Sequence, residues 1–309
     1  MRTDDFSLIL EDGDHVYDEK NGELVSITYD TLLLTEIELR RKKKQKYFAD
    51  KMRNPAFDDY GTFLWLCFNP IEDLFPDLNG TEVTMLIMLS TFIDYSNLLL
   101  TPNNKRMHQS DLVALLQTSK ATISRFVNKL KRNNIIDVKS NGDMYLNTDS
   151  FYRGEYRQRK TKTTRVYINT CRKLYYASEK GQRNKLSFIF RMIPWMDYRH
   201  NILVANPYEK DEENVQPISL GDFAEFIGYG RTNASSLWRT ISKIKIDGEP
   251  VVLAVMRNLN MTDATVMVNP KLLCGSRDVG TMRILFRDAK KKGDEHKAYL
   301  NMMKYTKRN

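Results

Sequence analysis

One apolar pattern occurs twice in this chain, in the same order and with the same gaps, and that recurrence limits the fold more than any other feature. Met107, Asp111, Leu112, Leu115 and Leu116 correspond to Ile218, Asp222, Phe223, Phe226 and Ile227. The match continues without a gap, Ile123, Phe126, Val127 and Leu130 corresponding to Ala234, Leu237, Trp238 and Ile241. Upstream, "TFIDYSNLLLTP" (91–102) resembles "PWMDYRHNILVANP" (194–207), and downstream "YLNTDSFYRG" parallels "MVNPKLLCG", the two ending at Gly154 and Gly275. Few identities survive. An ordered series of this length nevertheless marks an internal duplication, each copy being one supersecondary unit. The second copy carries longer inserts, around "YEKDEENVQP" and "MRNLNMTDA".

Within copy one, Ser110-Asp111 opens a short helix whose Leu112, Leu115 and Leu116 share a face. A three-residue turn, "QTS", follows, and Ser119 is placed to cap a second helix by accepting a bond from the amides ahead of it. There Ile123, Phe126, Val127 and Leu130 fall at i, i+3, i+4 and i+7, which makes one buried stripe. The other side carries Lys120, Thr122, Arg125, Asn128, Lys129 and Arg132. Helix, tight turn and helix make a helix-turn-helix. "IIDVKSNGDMYLN" then predicts two short strands about Asn141-Gly142, a dipeptide favoured in type I′ turns because both residues need positive φ. A helix-turn-helix followed directly by a hairpin is a winged-helix arrangement, with Lys139 and Asn141 at the wing.

The outward residues suit a DNA groove: short hydroxyls and Asn meet base edges, while Lys and Arg reach guanine or phosphate. In copy two the matching face holds Gly230, Arg231, Asn233, Ser236, Arg239, Thr240 and Lys243. Trp238 aligns with the buried Val127 and is expected in the core. Tyr229 fits either core or surface. Two such units could enter successive major grooves, about 34 Å apart. Basic runs at Arg40, Arg41, Lys42, Lys43, Lys44 and Lys46, and at Arg153, Arg157, Arg159, Lys160, Lys162 and Arg165, would add phosphate contacts. A basic helix face that is merely solvated, or a winged helix used to dock a protein, remains open beside this reading.

The segment "TSKATISRFVNKLKRNNIIDVKSNGDMYLNTDSFYRG" resembles the winged-helix segment of replication initiators of Firmicute plasmids, the RepL family, and more distantly MarR-like regulators. The resemblance covers residues 82–154. It implies recognition-helix contacts at Ser119, Lys120, Thr122, Ser124 and Arg125 and a wing about Asn141. The N-terminal segment and the second copy depart from that small single-domain family, and make a larger phage or mobile-element protein the more natural setting.

Composition narrows the remaining classes. The chain of 309 residues has a net charge of +9, which favours a polyanionic partner without naming it. Cys67, Cys171 and Cys274 lie far apart with no CxxC pair, which argues for a reducing compartment and against a zinc site. "MRTDDFSLILEDGDH" turns acidic where a signal peptide would be apolar, and "FLWLCF" is far too short for a membrane helix, so the expected location is cytoplasmic. His15, His108, His200 and His296 form no HxH nickase motif and no His-x-x-Arg, and no GxxxxGK[ST] loop occurs. Tyr299 and Tyr305 lie late enough for a recombinase nucleophile and Arg283 lies near them, but the histidine motif is missing. The paired acids Asp58-Asp59 and Glu212-Glu213 sit in loop-like stretches and are read as surface.

The expected fold is therefore α+β and mainly helical, with tandem winged helix-turn-helix domains behind an N-terminal α/β extension. Its divisions are 1–80 (extension), 81–155 (first winged helix), 156–185 (basic linker and helix), 186–276 (second winged helix) and 277–309 (basic C-terminal helix). The expected function is sequence-specific binding of double-stranded DNA, by a transcription regulator or replication initiator of a phage or plasmid. No catalytic residue, metal or cofactor is called for, and no membrane partner. A homodimer would extend the site. The alternative is an interaction scaffold docking replication or transcription machinery. Single-stranded nucleic acid is a third option, carried only by "EYRQRKTKTTRVY".

Overall fold

The computed structural model describes residues 8–11, 15–18, 24–25, 61–156, 161–255, 261–275, 282 and 286. The chain falls into two compact units, Met1–Phe57 and Asp58–Asn309. The described residues are mixed α/β, with seven α-helices and small antiparallel sheets. No helix among them is long and apolar enough to cross a membrane.

In the first unit, β1 (Leu8–Glu11), β2 (His15–Asp18) and β3 (Leu24–Val25) form an antiparallel sheet in that order. β3 lies in "ELVSITY" (23–29), a stretch rich in β-branched and aromatic residues. The basic run from Arg40 to Lys46 lies outside the described residues.

The second unit is built on four strands: β4 (Phe63–Phe68), β7 (Phe151–Tyr152), β8 (Lys162–Tyr167) and β13 (Leu273–Cys274), ordered β13-β8-β4-β7. β4 and β8 pair antiparallel over six positions, with Leu64 opposite Val166 and Trp65 opposite Arg165. Each lead strand then receives the closing strand of its own copy. Tyr152 returns to Trp65, and Leu273 to Val166. The order is the same from either edge, so a pseudo-two-fold axis passes between β4 and β8. "FLWLCF", placed in the N-terminal extension on sequence, is thus one of the two central strands. Alternation puts Leu64, Leu66 and Val166 in the core.

α1 (Gly80–Ser90) follows β4 and is buried from Val83 through Ser90, as an all-round apolar helix should be. A capping box starts it: Asn79 Oδ1 accepts from Glu82 N at 3.0 Å and Glu82 Oε2 accepts from Asn79 N at 2.9 Å. It packs on the 3₁₀ turn Lys180–Lys185 and on α5 (Leu186–Phe190), its counterparts in copy two. The approach is close: a Cβ on Gly80 would lie 2.6 Å from Ser187 Oγ and 3.1 Å from Asn184 O, so any larger residue would push the Ser187 side chain and the 184 carbonyl aside.

The copies then run in parallel. Copy one has α2 (Asp111–Leu115), α3 (Lys120–Arg132), β5 (Ile136–Val138) and β6 (Met144–Leu146). Copy two has α6 (Leu220–Phe226), α7 (Ala234–Ile241), β11 (Val252–Val255) and β12 (Thr265–Val268). It adds α4 (Ile168–Ala177) after β8 and a small hairpin, β9 (Lys245–Ile246) with β10 (Glu249–Pro250), after α7. That hairpin, turning at Asp247-Gly248, is an insertion the aligned apolar residues gave no sign of. One hydrophobic core spans both copies. Phe226 departs from the shared pattern: its partner Leu115 is buried, but Phe226 is 52% exposed and stacks on Trp195 at 4.4 Å.

Three identical residues recur at matching places, the two asparagines with equivalent bonds and the aspartate capping the same turn through a shifted second amide. Asp94 accepts from the amides of Ser96 and Leu98, and Asp197 from those of Arg199 and His200. Asn97, with φ of 66°, donates through Nδ2 to the carbonyls of Leu146 and Phe151; Asn201, with φ of 54°, donates to Val268 and Leu273. Asn147 and Asn269 receive the amides of Asp149 and Lys271 and donate to the carbonyls of Asn134 and Pro250. Asn97 and Asn201 tie each hairpin to its closing strand. Each is buried and left-handed, a conformation asparagine tolerates better than most residues. Asn97→Ala and Asn201→Ala should each destabilise the protein by about 3 kcal/mol, because two buried carbonyls lose their donor. Urea unfolding checks this, and a loss below about 1 kcal/mol at either position would be incompatible with the bond pattern.

Candidate nucleic-acid interface

α3 is the most basic exposed helix face of the described residues. Its start is set by Ser119, whose hydroxyl accepts from Thr122 N at 3.2 Å. The turn before it places Gln117 at φ 53°, where copy two has Gly228 at 71°. Its end is set by Asn134, left-handed at φ 54°, after which Ile135 N donates back to Leu130 O at 2.9 Å. Ile123, Phe126, Val127 and Leu130 are buried as the spacing predicts, which stabilises the packing by roughly 1.5–3 kcal/mol per side chain.

On the other side Lys120, Arg125, Asn128 and Arg132 are exposed, with Thr122 and Ser124 half-buried beside them. Arg125 Nε reaches only Ala121 O of its own helix, at 3.4 Å. Among the described residues no acid pairs with Lys120, Arg125, Lys131 or Arg132. Lys131, absent from the face read off the sequence, is exposed and lines a shallow groove with Lys139, Asn134 and Tyr145 of the hairpin. Lys129 is different: its Nζ lies 2.6 Å from Glu82 Oε2, so it ties α3 to α1.

The hairpin differs from the expected type I′ turn. Only Gly142 has positive φ, at 85°. Gly142 N donates to Lys139 O and Lys139 N to Asp143 O, both at 2.9 Å, which is a three-residue loop with glycine at the bulge. Asn141 is occupied there: its Nδ2 donates to Asp143 Oδ2 and its Oδ1 accepts Asp143 N. Asp143 also takes Arg106 at 2.7 Å. Lys139 pairs with Asp137, whose hydrogen bond and charge hold the ammonium above its ordinary value.

Copy two keeps the frame and changes the face. Its second helix is shorter: Arg231–Asn233 is a 3₁₀ turn, entered through Gly230 at φ 83°, and α7 begins only at Ala234. Arg231 bonds Asp222 and lies 3.9 Å from Asp263, and Asn233 Nδ2 donates to Tyr229 O at 2.8 Å. The two side chains expected at the tip are thus held within their own copy. Trp238 is buried, as its alignment with Val127 implied, and Tyr229 is half-buried with its ring edge against Phe188. Arg239 and Lys243 are exposed and Ser236 half-buried further along α7. The strands β11 and β12 are buried, with Met282 and Phe286 packed on Ile202, Val204, Leu253 and Met267, and the residues joining them, 256–260, lie outside the described residues.

Of the basic stretch between the copies, the described part is held largely within the fold. Arg157, Arg159 and Lys160 lie outside the described residues. Lys162 places its Nζ 4.3 Å from the Tyr208 ring centre on the central sheet. Arg153 donates to Ile93 O, Arg165 to Cys274 O, Arg172 to Thr91 O and Arg183 to Leu116 O. Four cations therefore serve as donors to backbone carbonyls. Burial lowers the Arg172 pKa and pushes that of the Cys171 thiol, next in the chain, far up, which makes that thiol inert. No cluster of three metal-ligating side chains occurs among the described residues.

No family model, curated protein or solved structure matches the chain.

Asp222 offers a test of the copy-two geometry. Burial alone would raise its pKa, but the Ser219 hydroxyl and amide and the Arg231 guanidinium together hold it below the ordinary carboxylate range. A depressed folded-state pKa contributes stability that is fully present above the unfolded value and lost as pH falls through the folded one. The difference in unfolding midpoint between wild type and Asp222→Asn should therefore be largest near neutral pH and shrink on acidification. A pH series of thermal melts checks this, and a flat difference would argue against the Arg231 pair.

Proposed function

We propose that this chain is a sequence-specific double-stranded DNA-binding protein made of two winged-helix units, acting as a transcription regulator or replication initiator of a phage or plasmid in the cytoplasm. The observation that carries the reading is the outward face of α3. Lys120, Arg125, Lys131 and Arg132 stand there without an acidic partner among the described residues, beside a hairpin carrying Lys139. A helix with short polar side chains at its N-terminal end and cations along it matches what a major groove accepts. Ser119 acts in this reading as the cap that fixes the helix start, and Lys129 as the anchor that sets its tilt. Thr122, Ser124, Arg125 and Asn128 are then the base-edge residues, with Lys120 and Arg132 at the flanking phosphates.

The pseudo-two-fold axis gives one chain the symmetry that many DNA-binding proteins obtain by dimerising, so a monomer covers two adjacent stretches of duplex and a homodimer would cover a longer or repeated site. Docking of replication or transcription machinery on the same units is the competing reading, and it predicts weak duplex affinity with little salt effect.

Lys120→Ala/Arg125→Ala should weaken binding to a selected duplex by about 10²-fold and lower the salt slope, since each lost base or phosphate contact costs roughly 1–3 kcal/mol. Fluorescence anisotropy at several salt concentrations, on duplex and single-stranded DNA, checks it. Unchanged duplex affinity would reject the α3 assignment. Footprinting should show protection over about two major grooves, and protection of one groove only would leave copy two off the DNA.

A further inference from the structure

The two copies part company at one pair of positions. In copy one Glu82 on α1 and Lys129 on α3 close the space between their helices with a 2.6 Å ion pair. The aligned positions in copy two are Lys185 and Thr240, which cannot pair. A groove of about 470 Å³ is open there instead, lined by Ser178, Gln182, Lys185, Ser236, Thr240, Arg239 and Lys243 with Leu186 and Ile244 at its base. Three of these residues are cationic, four carry hydroxyl or amide groups, and none is acidic; the Ser178 hydroxyl donates to Leu174 O at 2.8 Å. Among the described residues Lys185, Arg239 and Lys243 form no ion pair. Thr240 uses its hydroxyl hydrogen on Ser236 O at 2.9 Å.

We propose that this groove is a phosphate site for the DNA backbone, so that copy two grips the duplex while copy one reads it. The proposal rests on the DNA-binding reading above and deepens it. Three features of copy two point the same way. Its helix tip, where bases would be met, is held by the Arg231–Asp222 contact and by Asn233 on Tyr229 O. Its unpaired cations sit instead near the C-terminal end of α7 and just beyond it, and on the facing 180–185 turn. The strands of its hairpin, β11 and β12, are buried on the side of Met282 and Phe286, whereas the copy-one hairpin exposes Asp137 and Lys139. Ammonium and guanidinium groups on two elements facing one hollow suit a tetrahedral dianion or a bridging phosphodiester, and offer nothing to an uncharged base edge. A backbone phosphate is the source favoured here because α7 presents the groove on the face that α3 uses in copy one.

The test uses the full chain and a duplex selected from random sequence by the wild-type protein, with an unrelated duplex beside it. Two variants are compared with Lys120→Ala/Arg125→Ala: Arg239→Ala/Lys243→Ala, and Lys185→Glu/Thr240→Lys, which rebuilds the copy-one ion pair and closes the groove. Both copy-two variants should weaken the selected and the unrelated duplex by the same factor, about tenfold, and reduce the salt slope by about 2 for Arg239→Ala/Lys243→Ala, leaving the ratio of the two affinities unchanged. The copy-one variant should collapse that ratio. A collapse of the ratio in the copy-two variants would overturn the proposal, because α7 would then be reading bases. Unchanged binding in them, with the copy-one effect intact, would overturn it while leaving the DNA reading in place; no effect in any variant would remove both. Thermal stabilisation of wild type by millimolar inorganic phosphate or ATP, lost in Lys185→Glu/Thr240→Lys without any change in DNA affinity, would assign the groove to a small phosphate ligand instead.

Discussion

The antiparallel pairing of β4 with β8 fixes where everything else in residues 58–309 can sit, because each strand leads one copy and receives that copy's closing strand on its free edge. A slip of one residue would turn Leu64, Leu66 and Val166 out of the core and bring Trp65 and Arg165 in, so the register is strongly specified. With the register set, α1 and the 180–190 segment must meet near the same axis, and Gly80 is the residue that lets them touch. Arg172 and Arg183 then reach from copy two's lead-in to the carbonyls of Thr91 and Leu116 in copy one. A bond from a charged donor to a carbonyl is stronger than a neutral one, so these arginines couple the two copies directly.

On that shared frame the copies have kept the bonds that shape the backbone and changed the groups that face outward. Asp94 and Asp197, Asn97 and Asn201, and Asn147 and Asn269 stand in equivalent places doing equivalent work. Outside, copy one holds α3 only through Lys129 on Glu82 and leaves its tip open, while copy two holds its tip through Arg231 on Asp222 and leaves the end of α7 open. The turn tells the same story: copy two uses Gly228 at a left-handed position that copy one fills with Gln117, at a conformational cost of about 1 kcal/mol. Gln117 offsets this by receiving Arg183.

How much of this was legible in sequence follows from which interactions are local. The α3 stripe was legible because a 3.6-residue period depends only on neighbours, and the duplication because apolar spacing survives when identities do not. The hairpin position was legible from Asn141-Gly142, but its turn type was not, since Asp143 draws Asn141 into a side-chain bond that favours the three-residue loop. β4 was hidden: "FLWLCF" is a short apolar run whose partners lie some 100 residues away, and nothing in its spacing names them. The groove beside α7 was hidden for a related reason. Ser236, Arg239 and Lys243 could be placed on one face from spacing, whereas Lys185 and Gln182 join them only through the packing of α5 on α7.

Charge shows the limit of composition most clearly. A net charge of +9 invites the view that basic stretches are nucleic-acid contacts, and the run from Arg153 to Arg165 looks like the strongest case. Yet Arg153 and Arg165, with Arg172 and Arg183 after them, donate to main-chain carbonyls inside the fold, and Lys162 lies over an aromatic ring. An arginine that satisfies a buried carbonyl is costly to withdraw, because the carbonyl would be left unpaired. Such a residue is not available to a phosphate. What distinguishes a contact surface is a group of neighbouring exposed cations that no acid, ring or distant carbonyl holds, and α3 and the α7 groove each carry such a group. The two places occupy equivalent faces of the frame and differ at the helix tip, which is open in copy one and held by Asp222 in copy two, so one frame can present a reading edge in one copy and a gripping edge in the other.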